Sequence, residues 1–244
     1  MTGVQTCALP IYHDWVKTST HNINSANDDI SIYVDDFRVE IDDVMYYTIS
    51  GAIASASSGD TIYAWNGTYY ESVSITKELT LIGNGTATVI NGSFEGDVVT
   101  VTGDAVTIEH VTIAASGSEE GDCGLYVSGS DGAFENIKFE YNNIGYNSDG
   151  DFNEITESIV SYNAIGVFVE NDDNSIIDNI FTYNSIAIQI SSSSEDNRIE
   201  DNEIKKSFTS GIYLLETEES IIKNNYIHNN TGYGIHLNDA HKQD

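Results

Sequence analysis

The chain has 244 residues, and its 39 acidic residues outnumber 9 basic ones, which gives a formal net charge of −30. Such a field repels nucleic acid and anionic lipid and favours cation binding, so we expect no nucleic-acid partner. The two cysteines, Cys7 and Cys123, form no CxxC or CxxH pair that would indicate a zinc site, and no apolar run is long enough to span a bilayer.

Residues 1–29 contain no predicted element. The opening peptide, residues 1–11 (MTGVQTCALPI), resembles translated sequencing-adapter sequence, and we interpret it as non-native. Residues 12–29 are rich in Asn, Ser, Thr and Asp, and we expect them to be disordered. On this interpretation the natural protein has a different N-terminus, and we expect it to extend beyond the C-terminus as well.

Residues 30–58 are predicted to form an N-terminal strand and a capping helix. Apolar residues alternate with polar ones in residues 30–34, which predicts a short strand, and again in residues 37–41, which predicts a second strand or an extended loop. Within residues 47–57 the apolar residues recur at helical spacing, at Ile49, Ala52, Ile53 and Ala56. Gly59 follows as a stop signal, and such a helix would cover the first coil of a stack.

Residues 59–244 are predicted to be stacked repeats of strand and turn. The motif Tyr-Asn-x-Ile-Gly and its relatives place a small residue at positions 124, 145, 166, 187, 211 and 234, at spacings of 21 to 24 residues. A second ladder consists of Ile155, Ile176, Ile199 and Ile221. On the N-terminal side of this repeat, short β-rich runs lie at residues 61–65, 71–75, 79–82, 88–90, 98–101, 106–108 and 111–113.

A single coil of this repeat cannot fold alone, because its few apolar side chains do not offset the conformational entropy of the ordered residues. Stacking adds hydrogen bonds between coils and places equivalent residues above one another. An asparagine at a turn of every coil can then pass amide hydrogen bonds along the stack. We therefore predict an all-β fold, a parallel β-helix of about eight coils, with the helix in residues 47–57 as its cap.

Three stretches of the sequence resemble a known family. They are residues 32–36 (IYVDD), residues 58–63 (SGDTIY) with 66–71 (NGTYYE), and residues 79–83 (LTLIG). Over about residues 30–238 the chain resembles NosD-like proteins of the pectin-lyase-like superfamily, of the archaeal surface type. The resemblance implies a right-handed parallel β-helix of the carbohydrate-binding and sugar-hydrolase domain type. Such proteins are usually secreted, periplasmic or at the cell surface, and a minority assist copper-site assembly.

The enzymatic branches of that superfamily carry motifs that this sequence lacks. Polygalacturonases resemble one another in an Asn-Thr-Asp, an Asp-Asp, a Gly-His-Gly and an Arg-Ile-Lys. Here Asp172-Asp173 is present without Gly-His-Gly, and residues 198–200 (RIE) have an acid in the third place. Pectate lyases resemble one another in a calcium-held acidic cluster with a catalytic arginine, which has no clear counterpart around Arg38 or Arg198. The resemblance implies the fold and assigns no catalytic residue.

Two acidic residues and two histidines are candidates for catalysis and metal binding. Asp172 and Asp173 are the first choice for a carboxylate pair that hydrolyses a glycosidic bond, and a solvated acidic turn is the alternative. His228 and His236 could bind copper or zinc, although no third ligand accompanies them, and surface histidines are the alternative. Calcium is the cofactor that abundant carboxylates favour, but no Asp-x-Asp-x-Asp-Gly loop occurs.

The tyrosines of the repeat are the candidate carbohydrate-binding residues. Tyr141, Tyr162 and Tyr183 recur every 21 residues and could form an exposed aromatic stripe on which sugar rings stack. The alternative is an aromatic ladder that stabilises one turn of the coil.

These observations support three hypotheses of function. The first is a non-catalytic extracellular, cell-surface or periplasmic protein that presents a rigid face to a polysaccharide or a cell-surface glycan. The second is a polysaccharide lyase or hydrolase, and the third is a periplasmic accessory to copper-site maturation. The first is preferred because no acid, base and cation converge in the sequence. We expect specific contacts where the repeat varies, at residues 170–174, 191–197 and 216–220.

Overall fold

The computed structural model describes residues 10–11, 14–15, 38–192, 194–217 and 219–238, and the chain divides into two units, residues 1–37 and 38–244. In the first unit, β1 (Pro10–Ile11) pairs antiparallel with β2 (Asp14–Trp15). The strand predicted at residues 30–34 lies outside the described residues, and so does the stretch 32–36 that contributes to the family resemblance.

The second unit begins with a hairpin of β3 (Val39–Ile41) and β4 (Val44–Tyr46), followed by α1 (Ile49–Ser55). Eight coils follow, each with three strands. The strands of the first four coils are β5 (Thr61–Ala64), β6 (Gly67–Tyr70), β7 (Val73–Ile75), β8 (Thr80–Ile82), β9 (Thr88–Asn91), β10 (Val99–Val101), β11 (Thr107–Glu109), β12 (Thr112–Ala114), β13 (Cys123–Val127), β14 (Ala133–Glu135), β15 (Lys138–Glu140) and β16 (Ile144–Ser148). The strands of the last four coils are β17 (Glu154–Thr156), β18 (Ile159–Ser161), β19 (Ile165–Val169), β20 (Ser175–Ile177), β21 (Ile180–Thr182), β22 (Ile186–Ile190), β23 (Arg198–Glu200), β24 (Glu203–Lys205), β25 (Ser210–Leu215), β26 (Ile221–Lys223), β27 (Tyr226–His228) and β28 (Tyr233–Asn238).

Each coil contributes one strand to each of three parallel sheets. Sheet 1 begins with β5, sheet 2 with β6 and sheet 3 with β7, and every third strand continues the same sheet. We name the connections between them corner 1–2, corner 2–3 and corner 3–1. This arrangement is the all-β, right-handed parallel β-helix of about eight coils that the sequence predicts.

Two details of the repeat differ from the prediction. The run β6 (Gly67–Tyr70) is a strand, whereas the predicted β-rich runs 61–65 and 71–75 leave it between them. The isoleucine ladder continues from Ile199 to Ile222, and Ile221 instead pairs with Arg198. Since Ile221 and Ile222 are adjacent, the residue types alone could not decide between them. Ile221 is 36% exposed, as an outward position should be.

The recurring small residue has a steric cause. A Cβ on Gly145 would lie 2.5 Å from the carbonyl oxygen of Gly166 in the next coil, and one on Gly166 would lie 2.4 Å from that of Ala187. Backbones of successive coils therefore approach one another too closely at this position for a larger side chain. Alanine at position 187 is the largest residue in the series.

Asparagine ladders run along all three corners of the stack. At corner 2–3 the backbone N–H of Asn142 donates to Oδ1 of Asn163 at 3.0 Å, and that of Asn163 donates to Oδ1 of Asn184 at 3.0 Å. Equivalent ladders consist of Asn153, Asn174 and Asn197 at corner 3–1, and of Asn179, Asn202 and Asn225 at corner 1–2. These amides replace water as partners of the turn backbone, so the backbone N–H groups that bind them can be buried with a partner.

The helix α1 packs against the first coil as the predicted cap. All four residues expected on its apolar face are buried, namely Ile49, Ala52, Ile53 and Ala56. Glu71 of the first coil accepts hydrogen bonds from the N–H groups of Ile49 and Ser50 at 2.9 and 3.0 Å. At the other end of the helix, Lys77 donates to the carbonyl oxygens of Ile53 and Ala56. A negative group at the N-terminus and a positive group at the C-terminus both stabilise a helix.

Candidate functional site

The outward face of sheet 3 differs in composition from the other two faces. On sheets 1 and 2, ion pairs join positions of one strand: Lys138–Glu140, Arg198–Glu200 and Lys205–Glu203, with N–O distances of 2.6, 3.0 and 2.7 Å. The eight described strands of sheet 3, in contrast, contain no Asp, Glu, Lys or Arg. An uncharged face is unusual on a chain of net charge −30. The formation of a sheet does not by itself require such a face.

A single row of side chains runs along this face. The parallel register aligns Thr100, Tyr126, Asn147, Phe168, Gln189, Tyr213 and His236. Their neighbours in the strands from β10 to β25, such as Val167 and Val169 beside Phe168, are buried, whereas Ile235 and Leu237 beside His236 are 44% and 51% exposed. The row is therefore outward-facing, and all of it except Asn147 is partly exposed. We call it the sheet-3 row; its members lie about 4.8 Å apart along the stack.

Two carboxylates stand at the edge of the sheet-3 row. Asp149 follows β16 and Glu170 follows β19, so they occupy equivalent places in successive coils. The hydroxyl of Tyr126 donates to Oδ2 of Asp149 at 2.6 Å, and Nδ2 of Asn147 donates to Oε2 of Glu170 at 2.9 Å. The hydrogen bond to Asp149, together with partial burial, raises the pKa of Tyr126 to about 12. Tyr126 is therefore protonated at neutral pH and acts as a donor.

Asn147 has one polar atom without a partner. The residue is 5% exposed, and its Oδ1 is buried and accepts no hydrogen bond from any described residue. A buried acceptor without a donor is costly in a folded protein. The orphan oxygen belongs to the same amide that binds Glu170, so the two coils of Asp149 and Glu170 hold more acceptors than donors.

Cys123, one strand away, is a structural thiol. Its side chain is fully buried and contacts the carbonyl oxygen of Gly121 at 2.9 Å. Burial, assisted by the negative charge of Asp97, raises the pKa of the thiol to about 12. Burial likewise raises the pKa of Asp97, whose Oδ1 accepts the N–H of Cys123 at 2.8 Å. A thiol with so little thiolate is a poor nucleophile.

The three candidate tyrosines form a stacked column at corner 2–3. The ring centroids of Tyr141 and Tyr162 are 5.5 Å apart and those of Tyr162 and Tyr183 are 5.1 Å apart, with planes inclined by 15° and 7°. Lys206 covers the free face of Tyr183, 4.6 Å from its centroid, and donates to its hydroxyl. Because the rings cover one another's faces, they present mainly edges to solvent. This geometry favours the ladder interpretation over the binding one.

The backbone of these tyrosines is strained. Tyr141, Tyr162 and Tyr183 have φ values of 59°, 58° and 59°, in the left-handed region that bulky residues rarely adopt. Each precedes a ladder asparagine, and the hydrogen bonds of that asparagine hold the turn in place. The column is consequently part of the corner that supports sheet 3.

The two candidate histidines lie on different sheets. His228 is on β27 of sheet 2, where its Nε2 is 3.1 Å from Oε1 of Glu203. His236 is on β28 of sheet 3, where its ring stacks on Tyr233 with centroids 4.5 Å apart. Each ring therefore has its own set of neighbours, and the structure does not bring the pair together. Among the described residues, no group of three or more His, Cys, Asp or Glu side chains is placed to hold a metal ion.

The candidate acids Asp172 and Asp173 lie in a turn at corner 3–1. Oδ1 of Asp172 accepts the backbone N–H of Glu195 at 2.8 Å, and its own N–H donates to Oδ1 of Asp151 at 3.2 Å. Asp173 has a φ of 56° and precedes the ladder residue Asn174. Both acids therefore lie in a turn, and a catalytic role for them stays a prediction.

Sequence patterns did not reveal the sheet-3 row. Its members change type from one coil to the next, so no period marks them, whereas the buried positions on either side repeat. One signal was available: the strands of this sheet lack charged residues while the rest of the chain is strongly acidic. No helix among the described residues is long and apolar enough to cross a membrane.

Comparison with protein families gives one match. The model of the family described as right handed beta helix region matches residues 97–243, which is more than half of the chain. The chain therefore belongs to the right-handed β-helix family. A search of curated protein sequences gave no match.

Several solved structures are similar in fold. The Agl-KA catalytic domain has a TM-score of 0.59 at 12% identity, over 79% of this chain and 42% of that chain. The A-module of the mannuronan C-5 epimerase AlgE4 from Azotobacter vinelandii has a TM-score of 0.58 at 16% identity, over 80% and 69%. Pectate lyase Pel9A has a TM-score of 0.54 at 17% identity, over 80% and 72%. The chain thus spans less than half of the Agl-KA domain, and identities this low establish the fold alone.

Proposed function

We propose that this chain, which belongs to the right-handed β-helix family, is an extracellular or cell-surface protein that binds a polysaccharide along the outward face of sheet 3. The observation that carries the proposal is the sheet-3 row, an uncharged line of aromatic, amide and hydroxyl side chains on an otherwise acidic body. Phe168 lies in the middle of the row, between Asn147 and Gln189.

The chemistry of the row suits a sugar polymer. Aromatic rings contact the apolar C–H faces of sugars, while amides and hydroxyls supply donors and acceptors for the sugar hydroxyls. Pockets for small molecules combine apolar walls with a few polar groups in the same way. A row that repeats about every 4.8 Å along a rigid axis matches a ligand that is itself a chain of repeating units.

Two further observations support this function and its location. The pectate lyase Pel9A and the mannuronan C-5 epimerase AlgE4, both named as polysaccharide-modifying enzymes, have a similar fold. The resemblance of the sequence to NosD-like surface proteins supports an extracellular, cell-surface or periplasmic location. The copper-accessory hypothesis gains no support from His228 and His236, which have separate surroundings.

Binding to a panel of polysaccharides tests the proposal. Affinity electrophoresis of the full chain would use an uncharged glucan, an amine-bearing polymer, and a polyuronate with and without Ca²⁺, since calcium could bridge an acidic glycan to an acidic protein. We expect retardation by at least one of these polymers. Phe168→Ala should weaken it about tenfold or more, as the loss of a central aromatic contact does.

The matched control is Ile180→Ala, which removes a 40%-exposed side chain from the outward face of sheet 2 in the next coil. We expect this variant to bind as the unmodified chain does. Urea unfolding of both variants would establish that they remain folded. The proposal would be contradicted if no polymer retards the chain, or if Phe168→Ala and the unmodified chain are retarded equally.

Cleavage of the bound polymer is the second candidate function. The observation that favours it is the pair Asp149 and Glu170, which stand in successive coils beside Tyr126. Glycoside hydrolases use a pair of carboxylates that flank the scissile bond. Release of reducing or unsaturated sugar that stops in Asp149→Asn and Glu170→Gln would establish an enzyme, while binding without release would leave the non-catalytic function in place.

A further inference from the structure

The edge of the sheet-3 row has an excess of hydrogen-bond acceptors in the coils of β16 and β19. Asp149 and Glu170 each accept a bond from a neutral donor, Tyr126 and Asn147 respectively. Neither carboxylate forms an ion pair with a described residue, in contrast to Glu140 and the other acids paired on sheets 1 and 2. Their negative charge is therefore not compensated within the described part of the protein.

Further negative charge surrounds the same strands. Asp97 and Asp122 lie in the two longest connections of corner 2–3, and their charge acts on Cys123 of β13. Glu170 acts on both Cys123 and Tyr126. Asp97, Asp122 and Glu170 thus add negative charge near β13, and no Lys or Arg belongs to any described strand of sheet 3.

Asn147 adds an independent observation. Its buried Oδ1 has no donor, although the same amide binds Glu170 through Nδ2. A native structure seldom leaves a buried acceptor unpaired, and such an atom needs an explanation. A ligand that brings several N–H donors and a positive charge would satisfy the carboxylates and relieve this excess of acceptors.

We propose that Asp149, Glu170 and Asn147 form a subsite for the protonated amino group of an amino-sugar polymer. This inference rests on the proposed function and names its substrate class. A uronic-acid polymer would bring like charge to the same edge and is disfavoured there. An ammonium group also fits better than a bare metal ion, because no third His, Cys, Asp or Glu of the described chain joins the two carboxylates.

The test compares two oligosaccharides that differ only at the nitrogen substituent, which is a charged amine in one and a neutral acetamide in the other. The full chain would be titrated with a β-1,4-linked glucosamine oligomer and with its fully N-acetylated counterpart, at a mildly acidic pH where sugar amines are protonated and carboxylates remain ionised. We expect the amine form to bind about tenfold more tightly or more. Asp149→Asn and Glu170→Gln should each weaken its binding about three- to tenfold and should weaken binding of the N-acetylated form much less.

A polycation is attracted to any protein of net charge −30, so matched charge-removing controls are essential. Asp201→Asn at corner 1–2 and Glu154→Gln on sheet 1 remove the same charges from other faces. We expect both controls to bind the amine oligomer as the unmodified chain does. Equal weakening by the controls would mean non-specific attraction and would overturn the subsite.

The remaining outcomes separate this inference from the proposed function. If the N-acetylated oligomer, an uncharged glucan or a polyuronate binds as well as the amine form or better, and Phe168→Ala weakens that binding, the sheet-3 surface is a glycan site without an amine subsite. If none of these glycans binds, both the proposed function and the subsite fail.

Discussion

The side-chain oxygen of Asn184 accepts two hydrogen bonds from Asn163, one from its backbone N–H at 3.0 Å and one from its Nδ2 at 3.1 Å. One buried carbonyl thus joins two coils through both the backbone and the side chain. The same arrangement recurs at corner 1–2, and at corner 3–1 the backbone N–H bond alone recurs. These ladders fix the register of each coil on the next. The alignment of the sheet-3 row depends on this register.

Replacement of Asn163 by alanine should be strongly destabilising. It would remove the acceptor of the Asn142 N–H and the amide donor to the carbonyl of Phe139, while Nδ2 of Asn142 would keep only its bond to the carbonyl of Ile113. We expect a loss of about 2–4 kcal/mol in the free energy of unfolding, measured in urea, because buried polar groups would be unsatisfied. The control Asn171→Ala removes one hydrogen bond from a partly exposed turn and should cost about 1 kcal/mol or less. Equal losses in the two variants would show that the ladder has no special role.

Substitutions of Tyr162 should separate ring stacking from backbone strain. Tyr162→Ala removes two ring contacts, worth about 0.5–1.5 kcal/mol each. Alanine, like tyrosine, disfavours the φ of 58° at this position, so the backbone strain remains. Tyr162→Asn removes the same contacts but tolerates the left-handed conformation, so it should be more stable than the alanine variant. Urea unfolding measures the difference. Both variants should bind glycan as the unmodified chain does, and a loss of binding would instead assign the column to the glycan site.

The pair Tyr126–Asp149 predicts a specific alkaline titration. The folded-state pKa of Tyr126, about 12, lies above the ordinary tyrosine value of about 10. The protonated phenol therefore contributes stability in full below about pH 10, and this contribution is lost as the pH rises toward 12. In difference ultraviolet titrations against Tyr126→Phe, the midpoint should fall toward the ordinary value in Asp149→Asn. The control Asp201→Asn should leave the midpoint of Tyr126 ionisation unchanged. An unaltered midpoint in Asp149→Asn would contradict the assignment of the raised pKa to the hydrogen bond with Asp149.

Salt should stabilise the protein. At a net charge of −30, mutual repulsion opposes the compact state. Raising NaCl from about 0.01 M to about 1 M shortens the Debye length from about 30 Å to about 3 Å, and the melting temperature should rise. Choline chloride at equal ionic strength should give a similar rise if screening is the cause. A melting temperature that stays flat or falls in NaCl contradicts this prediction.

Much of the scaffold was predictable because stacking imposes repetition. The small residue at position 145 and the asparagine at 142 recur since equivalent sites in each coil meet the same neighbours. The ladders at the other two corners were missed, although each of their asparagines follows a residue with positive φ, as in Asp178-Asn179 and Phe152-Asn153. Such residue pairs, in which an asparagine follows another turn residue between two short strands, indicated these ladders in the sequence.

The candidate site was less predictable because it is the part of the coil that does not repeat. Residues of the sheet-3 row face solvent, so no stacking constraint fixes their type, and Tyr126 and Phe168 share no chemical class with Gln189. The pairing of Tyr126 with Asp149 spans 23 residues and follows from the register of two coils. Only the three-dimensional alignment places these groups on one face.

Hydroxyl-radical footprinting with and without a bound polysaccharide tests the central claim most directly, because it reports the exposure of individual aromatic side chains. The polymer that binds in the electrophoresis panel should protect Phe168 and Tyr213 on sheet 3. It should leave Tyr162 at corner 2–3 and Tyr226 on sheet 2 as reactive as in the free protein. Protection of Tyr162 or Tyr226, with Phe168 and Tyr213 unchanged, would contradict the assignment of the glycan site to sheet 3.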